Sequence, residues 1–189
     1  MQLSIVIPAF SINEELMKIA LDCARSLRDW VDEIVISEDA DRYWKELHDI
    51  SDTYLLHPRL GYTKNVNLGW RAARGEYVMQ ISADCELMRG DPRALCIADR
   101  VISPRVIASE SDPPWGRLSG ACFVVPRSTT DIMGMLDESV DWAHNPDVEY
   151  FQRLNTREAC CGTEYSVVFR HAAASPGPFV RASGGYVGR

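Results

Sequence analysis

The sequence has no glycine-rich phosphate loop. It contains no GxxxxGK[ST], and no GxGxxG stands between a strand pattern and a helix pattern. That excludes the usual cradle of backbone amides at a helix N-terminus for a nucleotide's phosphates. The glycines from Gly184 to Gly188 lie at the terminus with no helix to follow. There is no run of 18 apolar residues, so no helix predicted here spans a membrane. The six cysteines form no CxxC pair and no zinc-ligand spacing. Cys23, Cys96 and Cys122 sit in apolar runs and read as buried thiols, while Cys160 and Cys161 read as packing, with a redox role as the alternative. Positive charge is also short. Twenty Lys and Arg face 27 Asp and Glu, a net charge of -7, which disfavours non-specific binding to phosphate backbones but leaves room for a local basic groove. The N-terminus reads as a strand rather than a basic segment before an apolar helix, so the expected compartment is a reducing cytoplasm.

What is present is ordinary globular composition, 46% hydrophobic and 25% charged, in a chain of 189 residues. That is enough for one α/β domain with its own core. Ser4–Pro8 is a β-branched run that reads as a buried parallel strand. A helix follows from Asn13 to Arg28, with apolar residues at Leu16, Ile19, Ala20, Cys23 and Leu27, and with Asn13 as its N-cap. Glu33–Ser37 is a second strand ending in the acidic turn Glu38–Asp41. A helix over Tyr43–Asp49, a strand over Thr53–Leu56, a helix over Thr63–Arg74 capped by Gly75, and a strand over Glu76–Ile81 complete the first half. The alternation predicts a mostly parallel sheet with helices on both faces. The second half is less regular: a helix over Arg93–Asp99, strands over Val101–Ser109 and Leu118–Pro126, a helix over Asp147–Leu154, and a strand over Tyr165–Phe169. Residues 172–189, rich in Ala, Ser, Gly and Pro, read as a flexible tail or lid.

Ligands on such sheets bind at the carboxyl ends of the strands. Three polar turns fall there: Pro8–Glu14, Glu38–Asp41 and Ser82–Glu86. Without a phosphate loop, a nucleoside diphosphate needs a divalent metal on carboxylates, and Asp84 at a strand end suits that role. Taken alone, Asp84 reads first as a solvated turn aspartate, and strand alternation leaves the direction of Glu86 open. Glu38 and Asp39 can accept hydrogen bonds from a base or a ribose, or be ordinary turn acids. Asp147 and Glu149 can supply a general base, or belong to a surface helix with a Glu149–Arg153 pair. His171 reads as a structural histidine or as a further ligand to the same metal. Trp115 and Trp142 can stack on a sugar ring or simply pack.

In order, these residues resemble glycosyltransferase family 2, with its GT-A, Rossmann-like fold. Ser4–Phe10 followed by Asn13–Leu16 is similar to the family's VIPAYNEE opening, with Ser11 and Ile12 as two extra residues. Glu33–Asp39 is similar to EIIVVDDGS. Gly61–Gly69 with Ala72–Val78 resembles GxxxARNxGxxxAxGEYI in register and spacing, and Ser82–Ala83–Asp84 falls on the family's DxD. Gly120–Arg127 resembles the acceptor-side strand, Leu136–Glu138 the FDE turn, and Asp147–Leu154 the ED-xD-xxxRL helix. His171 and Ser175 resemble the HxxGxS tail. The sequence departs from the family at Ser82 for the first Asp of DxD, Pro146 for the Glu of ED, and Val66 for the Arg of ARN, with Lys64 available to replace that charge.

The resemblance implies one compact GT-A domain over residues 1–171. Residues 1–90 would bind the nucleotide sugar and 91–171 would face the acceptor. Pro8, Ala9, Phe10, Glu38, Asp39, Lys64, Asn67, Ser82 and Ala83 would hold the donor, a UDP-sugar by family frequency. Asp84 and His171 would hold Mn2+ or Mg2+, and Asp147 would be the catalytic base of an inverting transfer. Saccharide, lipid-linked glycan, protein and nucleic-acid acceptors all stay open. A nucleotide-sugar-binding protein without catalysis is the alternative that Ser82 and Pro146 favour.

Overall fold

The structure, a computed structural model, describes residues 1–40, 42–107, 119–140, 146–156 and 160–172. Its first half runs β1 (Leu3–Ala9), α1 (Glu14–Leu27), β2 (Glu33–Glu38), α2 (Lys45–Ile50), β3 (Thr53–Leu56), α3 (Tyr62–Ala72) and β4 (Tyr77–Ile81). Every residue of β1 and β2 is buried, as strands covered on both faces require. Side-chain alternation divides β1 between two cores. Leu3, Ile5, Ile7 and Ala9 join the core under α1, while Val6 joins Val66 and Trp70 of α3 on the opposite face. The α1 start follows from its sequence: the Asn13 side-chain oxygen accepts a hydrogen bond from Leu16 N at 2.9 Å, satisfying an amide that the helix itself leaves open.

The second half contains β5 (Cys85–Arg89), a 3-10 turn (Pro92–Leu95), β6 (Arg100–Ile107), β7 (Cys122–Pro126), α4 (Arg127–Met133), α5 (Pro146–Thr156) and β8 (Cys160–His171). All eight strands form one sheet in the order β3-β2-β1-β4-β7-β6-β8-β5. β3, β2, β1 and β4 are parallel neighbours. β7 then pairs antiparallel with β4 and β6, β6 and β8 run parallel, and β5 pairs antiparallel with β8. Trp70, Phe123 and Tyr150 pack as an aromatic cluster between α3, β7 and α5, with ring centroids 5.7 to 6.2 Å apart.

Several sequence expectations are corrected. The helix placed over Arg93–Asp99 is only the 3-10 turn. β5 and α4 carry no clear period and were not expected. Gly75 does not cap α3, which ends at Ala72 before Ala73 turns extended. The role of Gly75 is close approach instead. Its N donates to Ser4 Oγ at 2.8 Å, and a Cβ there would lie 2.8 Å from Ser4 N and 2.9 Å from Gln2 O of the β1 backbone. Glu33 closes the same corner, accepting from Arg74 Nε and Arg74 N at 2.7 Å each. Ser109, Trp115, Trp142, Ser175 and the tail beyond Ala172 lie outside the described residues.

Candidate active site

The four parallel strands end at one edge of the sheet, and the expected site residues gather after them. β4 closes in a tight turn: Ser82 N donates to Ala121 O at 2.7 Å and Cys85 N returns to Ser82 O at 3.0 Å. This turn presents Asp84 at the rim and sends the chain into β5. Pairing of β5 with β8 sets Cys85 opposite His171, and Ala172 N donates to Asp84 O at 3.2 Å. His171 Nε2 therefore lies 3.2 Å from Asp84 Oδ1, with both side chains partly exposed. Cys85 Sγ falls within 4.8 Å of the same ligand atoms. Burial holds its thiol well above the usual range, and it lies 3.7 Å from Ala121 O, so carboxylate and imidazole are the accessible donors. Glu86 lies on the other side of β5 and pairs with Arg170 on the surface. Alternation sets it on the face opposite Cys85 and His171.

Asp147 stands in the first turn of α5. Its carboxylate lies directly on the backbone of Gly120, where any Cβ would overlap it. A buried hydroxyl near this turn belongs to Tyr62, the first residue of α3. Gln80 Nε2 donates to its hydroxyl at 3.0 Å. Burial pushes the phenol's pKa up, and the nearby charge of Asp147, then of Asp84, adds to the effect. One hydroxyl is thus close enough to both acids to feel each of them. Sequence reasoning missed Tyr62 and Gln80, although Tyr62 directly follows the motif glycine Gly61.

The remaining expected residues have mixed surroundings. Pro8, Ala9 and Ala83 are buried, and Ala9 O accepts from Asp39 N at 2.9 Å and Asn65 Nδ2 at 3.1 Å. Phe10 is partly exposed, with the Arg59 guanidinium 4.7 Å from its ring centroid. Lys64 is exposed, and its charge helps hold the Glu138 carboxyl low, after the larger effects of Asn67 and Arg71. The Asn67 amide faces the FDE-like turn rather than the rim. It donates to Leu136 O at 2.8 Å and Glu138 Oε1 at 3.1 Å, and accepts from Leu136 N at 3.2 Å.

Glu38 and Asp39 are also turned to the protein. Glu38 is 0% exposed, and its Oε1 accepts from Ser11 N at 2.8 Å. Asp39 is 5% exposed and accepts from Leu60 N at 2.5 Å and Gly61 N at 2.9 Å. The expected base-reading acids thus brace the loops around the rim. The extra residue Ser11 makes the difference at Glu38, because it brings one more backbone amide that must be paired once buried.

Residues 4–96 match the family Glycosyl transferase family 2. The match covers 93 of the chain's 189 residues and runs from β1 through β5. No curated protein matches the chain. Among solved structures, this chain is similar to GalNAc-T7 with UDP, GalNAc and Mn2+, at a TM-score of 0.73 and 11% identity, covering 90% of this chain and 44% of that one. It is similar to the mannosyltransferase PcManGT from Pyrobaculum calidifontis in complex with GDP-Man and Mn2+, at 0.69 and 20%, covering 93% and 58%. It is also similar to S. aureus TarS 1-349, at 0.64 and 13%, covering 92% and 61%. The chain therefore spans about half the length of these relatives, and the likeness establishes the GT-A fold. Among the described residues, no helix is long and apolar enough to cross a membrane.

Proposed function

We propose that this chain is an inverting glycosyltransferase that moves a sugar from a nucleoside-diphosphate sugar, a UDP-sugar in the first instance, to an acceptor hydroxyl. The observation that supports this reading is the pairing of Asp84 with His171 at the strand ends, together with Asp147 seated against Gly120 in the first turn of α5. The Asp84 carboxylate and the His171 imidazole suit Mn2+ or Mg2+, since a hard divalent ion accepts few protein ligands when phosphate oxygens and water complete its shell. Bound there, the ion would stabilise negative charge on the departing diphosphate. Asp147 would take the acceptor hydroxyl's proton. The acceptor oxygen then forms its bond to the anomeric carbon as the bond from that carbon to the diphosphate oxygen breaks, and the nucleoside diphosphate leaves with the electron pair. Opposite entry and departure invert the configuration. The chain's contribution is in-line placement of acceptor, base and donor. The buried thiols Cys23, Cys85 and Cys122 fit the reducing cytoplasm we propose as its compartment.

The test is nucleotide release from UDP-sugars with Mn2+ in the wild type, Asp84→Ala and Asp147→Ala. Turnover that is lost in both variants supports the transferase. Binding of UDP with no turnover in any of the three would favour the binding-only alternative, which the loss of the ED glutamate at Pro146 and of the first DxD acid at Ser82 suggests.

A further inference from the structure

The turn after β4 has lost one kind of metal donor and gained another. Ser82 stands in place of the first DxD aspartate, and Cys85 directly follows the acid that remains, Asp84. A hard oxygen donor is missing, while a sulfur donor sits next in the chain. Strand pairing decides which way that sulfur faces. Cys85 and His171 are opposed residues of β5 and β8, so their side chains leave the sheet on the same face. The turn carries Asp84 to the same place, with His171 Nε2 3.2 Å from Asp84 Oδ1. One ligand atom from each of the three residues falls within 4.8 Å of the other two.

Backbone bonds hold these donors in place. Cys85 N donates to Ser82 O at 3.0 Å and Ala172 N to Asp84 O at 3.2 Å, so both chain segments are tied where the ligands leave them. The spacing suits a small tetrahedral ion. Zinc bonds of about 2.0–2.2 Å to oxygen and nitrogen put two such ligands roughly 3.3 Å apart, close to the separation that Asp84 and His171 already have. The buried Cys85 Sγ lies 3.7 Å from Ala121 O. A hard ion leaves the thiol protonated in that contact. A thiophilic ion draws it in as a thiolate, by rotation about its Cα–Cβ bond.

We infer that Asp84, Cys85 and His171 form a three-ligand site that takes Zn2+ ahead of Mn2+ or Mg2+. Binding sends the thiol's proton to solvent and leaves the neutral imidazole's proton on Nδ1, so that Nε2 coordinates. Three protein ligands keep a fourth position open, the arrangement of zinc sites that bind a substrate as well as a fold. A diphosphate oxygen completes the shell. That last step rests on the donor reading above, whereas the cation's chemistry does not.

The test strips the full chain of metal and titrates it with Co2+, a spectroscopic stand-in for Zn2+. The expected result is a thiolate-to-cobalt charge-transfer band in the near ultraviolet. It should vanish in Cys85→Ser and Cys85→Ala, and cobalt should bind more weakly in His171→Ala, where the side chain is partly exposed. Zinc outbinds manganese at most sites, so the deciding quantity is the dependence on Cys85. Zn2+ affinity, by competition with a chromophoric chelator, should fall about a hundredfold in Cys85→Ser, roughly one ligand's share of a four-ligand site. Mn2+ affinity, read by electron paramagnetic resonance, should stay at the wild-type value. Cobalt bound without the thiolate band, or a band that survives in both Cys85 variants, would overturn the site and return Cys85 to core packing. The absence of a band in the wild type decides this without any substitution. UDP-sugar turnover with Mn2+ in a wild type that shows no band would remove the zinc site alone. A Cys85-dependent band in a chain that binds no nucleoside diphosphate would support the zinc site and remove the donor reading.

Discussion

Gly120→Ala is the most direct probe of how Asp147 is seated. Gly120 does not have a positive φ, so alanine fits its backbone and the effect of the change is purely steric. A Cβ built there overlaps the Asp147 carboxylate and lies 2.9 Å from Asp147 Cβ. Rotating the carboxylate away is not enough, because the base of the side chain is also too close, so α5 or the 119–121 turn must move. Overpacking of this kind costs about 1–3 kcal/mol. In a chain of this size that lowers the melting temperature by roughly 2–12 °C. Asp147→Ala removes the atoms of worst overlap, so the double variant should be more stable than the sum of the single effects, with a coupling of about 1–2 kcal/mol. Urea unfolding of the four proteins measures this. In activity, Gly120→Ala should lose turnover with UDP affinity unchanged, approaching the roughly 10²- to 10⁴-fold loss that removal of a general base brings. Effects that add within about 0.5 kcal/mol would refute the steric argument. Full turnover in Gly120→Ala alongside none in Asp147→Ala would refute the positioning argument.

Three further outcomes are expected. Asn13→Ala should cost about 1 kcal/mol, because Leu16 N loses its cap, and a thermal melt reads it directly. Hydrogen bonds from Asn67 and then Arg71 hold the Glu138 carboxyl below its usual range. Its stabilisation is therefore complete above the unfolded value of about 4.3 and is lost as pH falls through the folded value. Glu138→Gln should cost under about 1 kcal/mol at neutral pH, since Glu138 is partly exposed, and its melting curve should converge with that of the wild type in acid. His171→Ala should weaken Mn2+ binding in the presence of UDP, followed by electron paramagnetic resonance. Unchanged affinity would leave Asp84 as the sole protein ligand.

The first half of the fold was legible because its signals are local. β1, β2 and β4 are short apolar runs buried almost throughout, and the less buried β3 begins and ends where its sequence pattern does. The second half departs from that regime. β5 is an edge strand with Glu86 and Arg89 in it, so its sequence resembles a polar turn, and it exists because β8 offers it a partner. β8 shows only Tyr165–Phe169 to pattern reading. Its earlier residues are held by pairing with β6, a contact that no local period encodes.

The same division separates the parts of the site. The family pattern identifies Asp84, Asp147 and His171 by type and order, but what each touches depends on chain segments far away in sequence. His171 reaches Asp84 through strand register, and Asp147 lies where Gly120 leaves space. The acidic pair shows the converse. Glu38 and Asp39 stand where the pattern expects carboxylates that read a base, yet Ser11, Leu60 and Gly61 bring backbone amides to the same oxygens. A buried amide left unpaired costs free energy comparable to a lost hydrogen bond. These amides are tethered to the carboxylates by the chain itself, so a base arriving from solution must displace them or use another surface.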